Sequence, residues 1–203
     1  MTIDEQDRAR IAAAIRSAEA RTTGEIVCVL AQTSTDVTAL SIFSAAVVAL
    51  VLPWILVAST ALPVDEILLL QFFVFFGLTS LLLLPAVRVR LLPRKARRAA
   101  AHRAAMDQFV QRGIARTKDR SGILIFVSLA ERYARIIADE GIAARVPQSQ
   151  WQGAIDVLLT HMKNGRIADG FTAAIGACGD VLATHFPASG KNPDELPDRI
   201  YLI

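Results

Sequence analysis

The sequence predicts an α/β domain split by a two-helix membrane hairpin. Two charge-free stretches lie almost end to end, residues 37–64 and 67–87. On each side of them a helical pattern closes on an arginine–threonine pair, passes a glycine and enters an apolar run. Before the hairpin these are Arg21-Thr22, Gly24 and EIVCVLA (25–31); after it they are Arg116-Thr117, Gly122 and ILIFVSL (123–129). A continuous apolar run between turn signals is a strand covered on both faces. The first strand cannot stand alone, because its faces need cover and its backbone needs partners. The two halves therefore rejoin, and the hairpin is an insertion in a loop of one domain.

The membrane assignment rests on hydropathy. At 203 residues, 53% hydrophobic and mean hydropathy +0.42, the chain is too apolar on average for an ordinary soluble domain. Each charge-free stretch can cross a hydrocarbon core of about 30 Å as a helix, the densest parts being about 40–62 and 67–87. The first starts too far from the terminus and is preceded by Asp4, Glu5 and Asp7 rather than a basic segment, so neither stretch is expected to be a signal peptide. The tip between the spans carries Asp65 and Glu66. Straight after the second span, RVRLLPRKARR (88–98) supplies Arg88, Arg90, Arg94, Lys95, Arg97 and Arg98 with no acid. The positive-inside rule then puts both termini in the cytoplasm of a two-pass inner-membrane protein. The net charge is +3, so these six cations leave −3 for everything else. The basic character is a collar for anionic headgroups rather than a nucleic-acid surface.

The elements follow in order. Residues 4–21 form an amphipathic helix with Ile11, Ala14, Ile15 and Ala18 on one face and Thr2 or Asp4 as cap. The strand 25–31 and a polar linker lead into the spans, so residues 1–38 are the first part of the domain, 39–87 the hairpin and 88–98 the collar. Pro93 opens a long helix to about Arg116, whose second half turns Met106, Phe109, Val110, Gly113 and Ile114 to a core. The strand 123–129 turns at Glu131-Arg132 into an alternating strand. Tyr133, Arg135, Ile137 and Asp139 fall on one face of it, and Ala134, Ile136, Ala138 and Glu140 on the other. After Pro147 a helix carries Trp151, Ile155, Leu158, Leu159 and Met162 and stops at Asn164-Gly165. A last helix, from Arg166 to about His185, carries Ile167, Phe171, Ala174, Ile175, Cys178, Val181 and Leu182. Residues 99–186 complete the domain. The Pro-rich tail 187–203 is mostly loop, with Ile200 to Ile203 as an edge strand or a docked end. Cys28 and Cys178 lie within apolar patterns, where a thiol packs as a small hydrophobe.

TGEIVCVL, SGILIFVSLAERYARIIADEGI, Trp151 with Ile155, and GRIADGFTAAIGACGDVL together resemble the TPM domain family. The resemblance covers nearly everything outside hairpin, collar and tail. It implies a small central sheet with helices on both faces. It also implies one of two roles: acid phosphatase, some members binding a divalent cation near acidic residues, or accessory factor for membrane complexes. Family members more often hold the domain outside the cytoplasm, behind a signal peptide.

Three carboxylates are metal candidates. Asp119 enters one strand and Asp139 leaves its antiparallel neighbour, so a hairpin brings both to one edge of the sheet. Glu25 joins them if its strand runs parallel to 123–129. Such a set suits Ca²⁺ or Mg²⁺, which favour oxygen ligands and can polarise a phosphoryl group. Arg132 and Arg135 are the candidates to receive a phosphate bidentately. The competing reading makes Asp119 a turn residue, Asp139 a cap or solvent group, Glu25 a strand-end charge and the arginines solvated edge residues. No nucleophile elbow, zinc signature or phosphate loop is present, and His102, His161 and His185 fall on separate helices. The expected function is therefore a scaffold or accessory factor that binds another membrane protein. The alternative is a metal-assisted phosphatase acting on phosphomonoesters.

Overall fold

In a computed structural model, residues 3–35, 38–84, 92–188 and 195–203 are described. Arg88 and Arg90 of the collar, the end of the second span, the Thr2 cap and part of the tail lie outside these residues. The chain divides into two compact units, Met1–Ser34 with Ala101–Ile203, and Thr35–Ala100.

The first unit is built on a four-stranded mixed sheet, in the order β3-β2-β1-β4. Helix α1 (Glu5–Glu19) starts where Asp4 accepts the Asp7 N–H at 2.7 Å, and it buries Ile11, Ile15 and Ala18. Strand β1 (Glu25–Ala31) is buried along its whole length, as its central position requires. It runs parallel to β2 (Gly122–Ser128), with Glu25 opposite Gly122 and Ala31 opposite Ser128. Antiparallel strands can join by a tight turn, whereas parallel ones need a crossover. Here that crossover contains the entire second unit. Strand β3 (Tyr133–Ala138) returns antiparallel to β2 through a turn in which Arg132 adopts φ 51°. The tail forms a true edge strand, β4 (Ile200–Leu202), parallel to β1.

Alternation sends β1 side chains to two cores. Ile26, Cys28 and Leu30 pack with Ile123, Ile125 and Ile136 under α1, α6 (Gln152–Lys163) and α7 (Ile167–His185). Val27, Val29 and Ala31 pack with Leu124, Phe126 and Ile114 under α4 (Arg94–Gln111). Trp151, in a short 3₁₀ turn before α6, and Phe171 are fully buried in the first core. Each such side chain contributes about 1.5–3 kcal/mol by leaving water.

Helix α4 differs from its expected form. It ends at Gln111, because Gly113 takes φ 74° and starts a separate 3₁₀ turn, Ile114–Arg116. Its inward face is Ala101, Ala105, Gln108 and Phe109, whereas Met106 and Val110 are exposed. Small alanines let the helix approach the sheet more closely than the larger residues would. The alternating strand ends at Ala138 as expected, and Asp139 then caps a short helix, α5 (Glu140–Ala143), so Glu140 lies outside the sheet.

The second unit contains α2 (Thr38–Ser59) and α3 (Val64–Leu83), which pack as a hairpin. Ala45, Ala49, Ile67 and Leu82 form the buried contact, while Phe43, Trp54, Phe72 and Phe73 stand at least 60% exposed. Both helices are long and apolar enough to cross a membrane. So is α7 by composition, but half of it is buried inside the first unit, where it covers the sheet.

Candidate functional site

At the amino ends of β1 and β2, the structure brings two of the three predicted carboxylates into one row. Glu25 is in register with Gly122, and the Asp139 N–H bonds the Gly122 carbonyl at 2.9 Å. Both are buried. Gly122 lies between them, so the two acids are two strand spacings apart, roughly 9–10 Å along the sheet.

Each carboxylate also has its own partner. Asp139 accepts the Glu140 N–H at 2.8 Å and the Arg120 guanidinium at 3.2–3.4 Å. Arg120 takes φ 50°, a conformation unfavourable for a side-chain-bearing residue, and also reaches Glu140 at 3.4 Å. Glu25 Oε2 accepts the Leu196 N–H at 3.2 Å. Asp119 is exposed in the turn before β2. Among the described residues, no group of three or more His, Cys, Asp or Glu side chains is arranged to hold a metal ion.

The arginine beside these acids is Arg120, not the two singled out from sequence. Arg132 lies in the turn at the opposite end of β3, and Arg135 sits mid-strand opposite Phe126. The alternation was read correctly, but a six-residue strand separates its two ends by almost 20 Å.

A second acidic contact was not anticipated. Glu19, at the end of α1, accepts the Ile26 N–H at 2.7 Å. Burial, then a hydrogen bond with Asp198, pushes its carboxyl from the ordinary 4.5 up to about 9, and the charge of Glu25 adds to the effect. Asp198 Oδ1 is itself buried without a donor. Two ionised carboxylates facing one another are acceptors only, so a proton retained on Glu19 supplies the missing donor. Residues 196–198 are thus tied to the start of β1 by two carboxyl groups. The sequence held no local signal for this, since Glu19 and Asp198 are at opposite ends of the chain.

At the carboxyl ends of β1 and β2, Glu131 is buried and takes three donors. These are Thr33 Oγ1 and the Ser34 N–H, each at 3.1 Å, and the Ser128 hydroxyl. Ser34 Oγ donates to Ser128 Oγ at 2.8 Å. This network clamps the ends of the two parallel strands. Beside it a cavity of about 500 Å³ is bordered by Ser128, Arg132, Tyr133, Leu159, Met162 and Lys163. The available signal was a serine closing an apolar strand with an acid three residues later, in a turn too tight to leave that acid in water.

The thiols are inert in this fold. Cys28 and Cys178 are free and buried; burial pushes Cys178 up to about 12 and Cys28 well above its ordinary value. Of the collar, Arg94, Lys95, Arg97 and Arg98 form the start of α4, and all but Arg97 are exposed.

A mixed sheet enclosed by helices, with its buried acids engaged at the strand ends, defines a small α/β domain. Residues 87–181 match the family model of the TPM domain. The NMR structure of the BA42 protein from the psychrophilic bacterium Bizionia argentinensis has a similar fold, with a TM-score of 0.64 and 21% identity. The match covers 100% of this chain and 96% of that one. No curated protein matches.

Proposed function

We propose that this chain is a two-pass inner-membrane protein, both termini cytoplasmic, whose TPM domain acts as a scaffold or accessory factor for a membrane-protein complex. The observation that carries this reading is the α2–α3 hairpin. Its outward surface is almost entirely apolar, with Phe43, Trp54, Phe72 and Phe73 unburied. A surface of that kind is stable against lipid tails or another membrane helix, and unstable in water.

Two further features support it. Residues on both flanks of the hairpin belong to one sheet, so the chain must cross an even number of times and return to the side it left. The positive-inside rule then selects the cytoplasmic side. The described collar cations also sit at the start of α4, where a helix dipole disfavours positive charge by about 0.3–1 kcal/mol each. Anionic headgroups would offset that cost. The scaffold reading is preferred to a metal-assisted phosphatase because Asp139 and Glu25 are engaged with Arg120 and Leu196.

The test is purification from native membranes in mild detergent at native expression. A stoichiometric partner should co-purify and be lost when residues 38–83 are replaced by an unrelated apolar hairpin. Recovery of the bare chain alone would overturn the proposal.

A further inference from the structure

The outer side of β4 is one of the two edges of the sheet. The Ile203 N–H bonds the Leu30 carbonyl at 3.0 Å, and the Gln32 N–H bonds the Ile203 carbonyl at 2.8 Å. Peptide groups alternate in direction along a strand, so those of Tyr201 also face β1 while those of Ile200 and Leu202 face outward. An edge with outward N–H and C=O groups is a template for another strand.

This edge lies at the base of a groove of about 710 Å³. Ala9 and Ala12 of α1 form one wall, and their small side chains leave room beside the strand. Arg112, beyond the end of α4, forms the other wall. Its guanidinium lies over the Tyr201 ring at 3.9 Å, and that of Arg199 lies over the same ring at 4.7 Å. Arg8 also borders the groove but is paired with Glu5, the one acid there, at 3.7 Å. Among the described residues neither Arg112 nor Arg199 has a carboxylate partner within ion-pair distance; Arg112 Nε donates to Gln108 Oε1 at 3.0 Å, and both guanidinium groups lie over the π-face of Tyr201.

Open backbone groups specify an extended main chain, and arginines without a carboxylate partner specify acidic side chains. We infer that the β4 groove binds an acidic, extended peptide segment of a partner protein as a fifth strand of the sheet. Main-chain hydrogen bonds to Ile200 and Leu202 set its direction, and carboxylates at alternate positions, which share one face, meet Arg199 and Arg112. Stacking of a flat ligand is disfavoured, because the Tyr201 ring is already covered by guanidinium groups. The inference deepens the scaffold reading and rests on it, naming the chemistry of the segment such a scaffold would hold.

The test uses full-length protein in detergent micelles and three dye-labelled decapeptides, (Glu-Val)5, (Lys-Val)5 and (Glu-Pro)5, read by fluorescence anisotropy. The last keeps the charge of the first but cannot form a strand. Wild type should bind (Glu-Val)5 at least tenfold more tightly than either of the others. The Arg112→Glu/Arg199→Glu variant should lose at least tenfold, while Arg199→Lys stays within about threefold. Leu202→Pro, which removes only an outward N–H, should weaken binding with the thermal transition retained. Equal binding of (Glu-Pro)5, or binding insensitive to the arginine reversal, would overturn the inference. Peptide-free self-association abolished by Arg199→Glu would overturn it too, by assigning the groove to a second copy. If a partner co-purifies through the hairpin while no peptide binds, the groove is withdrawn and the scaffold reading stands.

Discussion

Replacing Glu19 by Gln isolates the proton held between α1 and the approach to β4. The folded-state value of Glu19 is raised from 4.5 to about 9, first by burial and then by its contact with Asp198. Between those limits the folded chain keeps a proton that the unfolded chain has released, so stability falls as pH rises through the window. Each pH unit carries at most about 1.4 kcal/mol. Glu19 is only partly buried, and screening by water reduces the total to about 1–2 kcal/mol across the window. Gln retains an acceptor for the Ile26 N–H and offers an N–H to Asp198, yet it has no proton to lose. At pH 9 the Glu19→Gln protein should therefore melt roughly 2–8 °C above wild type, with the difference shrinking toward pH 5. Scanning fluorimetry of the detergent-solubilised full chain, stepped from pH 5 to 9, measures this. Parallel pH profiles for the two proteins would show that the proton is not on Glu19 and that the stitch at residues 196–198 is made otherwise.

Other consequences follow from the same strand ends. Asp139→Ala removes the cap of α5 and strands Arg120 in its unfavourable backbone conformation, at a cost of about 1–3 kcal/mol, read as a lowered thermal transition. Gly141→Ala should destabilise by a similar about 1–3 kcal/mol, because a Cβ there would collide with the carbonyl oxygens of Asp119 and Arg120, which are backbone atoms that cannot swing aside. Hydrolysis of a generic phosphomonoester, assayed with Ca²⁺, Mg²⁺ or chelator, should show no metal-dependent turnover that Asp139→Asn abolishes; such turnover would restore the phosphatase reading. Single cysteines placed at Asp65 and at Lys163, both exposed, should label from opposite sides of the membrane, and labelling of Lys163→Cys from outside intact cells would overturn the charge-based topology. The native thiols are buried and should stay silent in that experiment.

What the sequence determined by itself is local periodicity and what it can bury. The unbroken runs 25–31 and 123–129 could only be central strands, and the alternation from Tyr133 to Ala138 could only be a half-covered edge. The uncharged stretches form two helices long and apolar enough to cross a membrane, and Asp139 was already a cap candidate. Those inferences succeed because hydrophobic burial and capping act between near neighbours. The sequence misjudged distance along a known element, placing Arg132 and Arg135 beside the acids when a whole strand separates Arg132 from Asp139 and Arg135 sits mid-strand. It also misjudged the inward face of α4, because alanines carry a weaker hydrophobic signal than Met106 and Val110, even though their size is what allows close packing on the sheet. Only the tertiary structure decided which acids meet. Glu19 faces Asp198, and Glu131 gathers Thr33 and Ser34, across separations of nearly the whole chain and nearly half of it. The β4 edge likewise acquired its arginines from three separate segments. Charge–charge proximity of this kind is set by how strands pair, and pairing is a long-range property that no local pattern in the chain encodes.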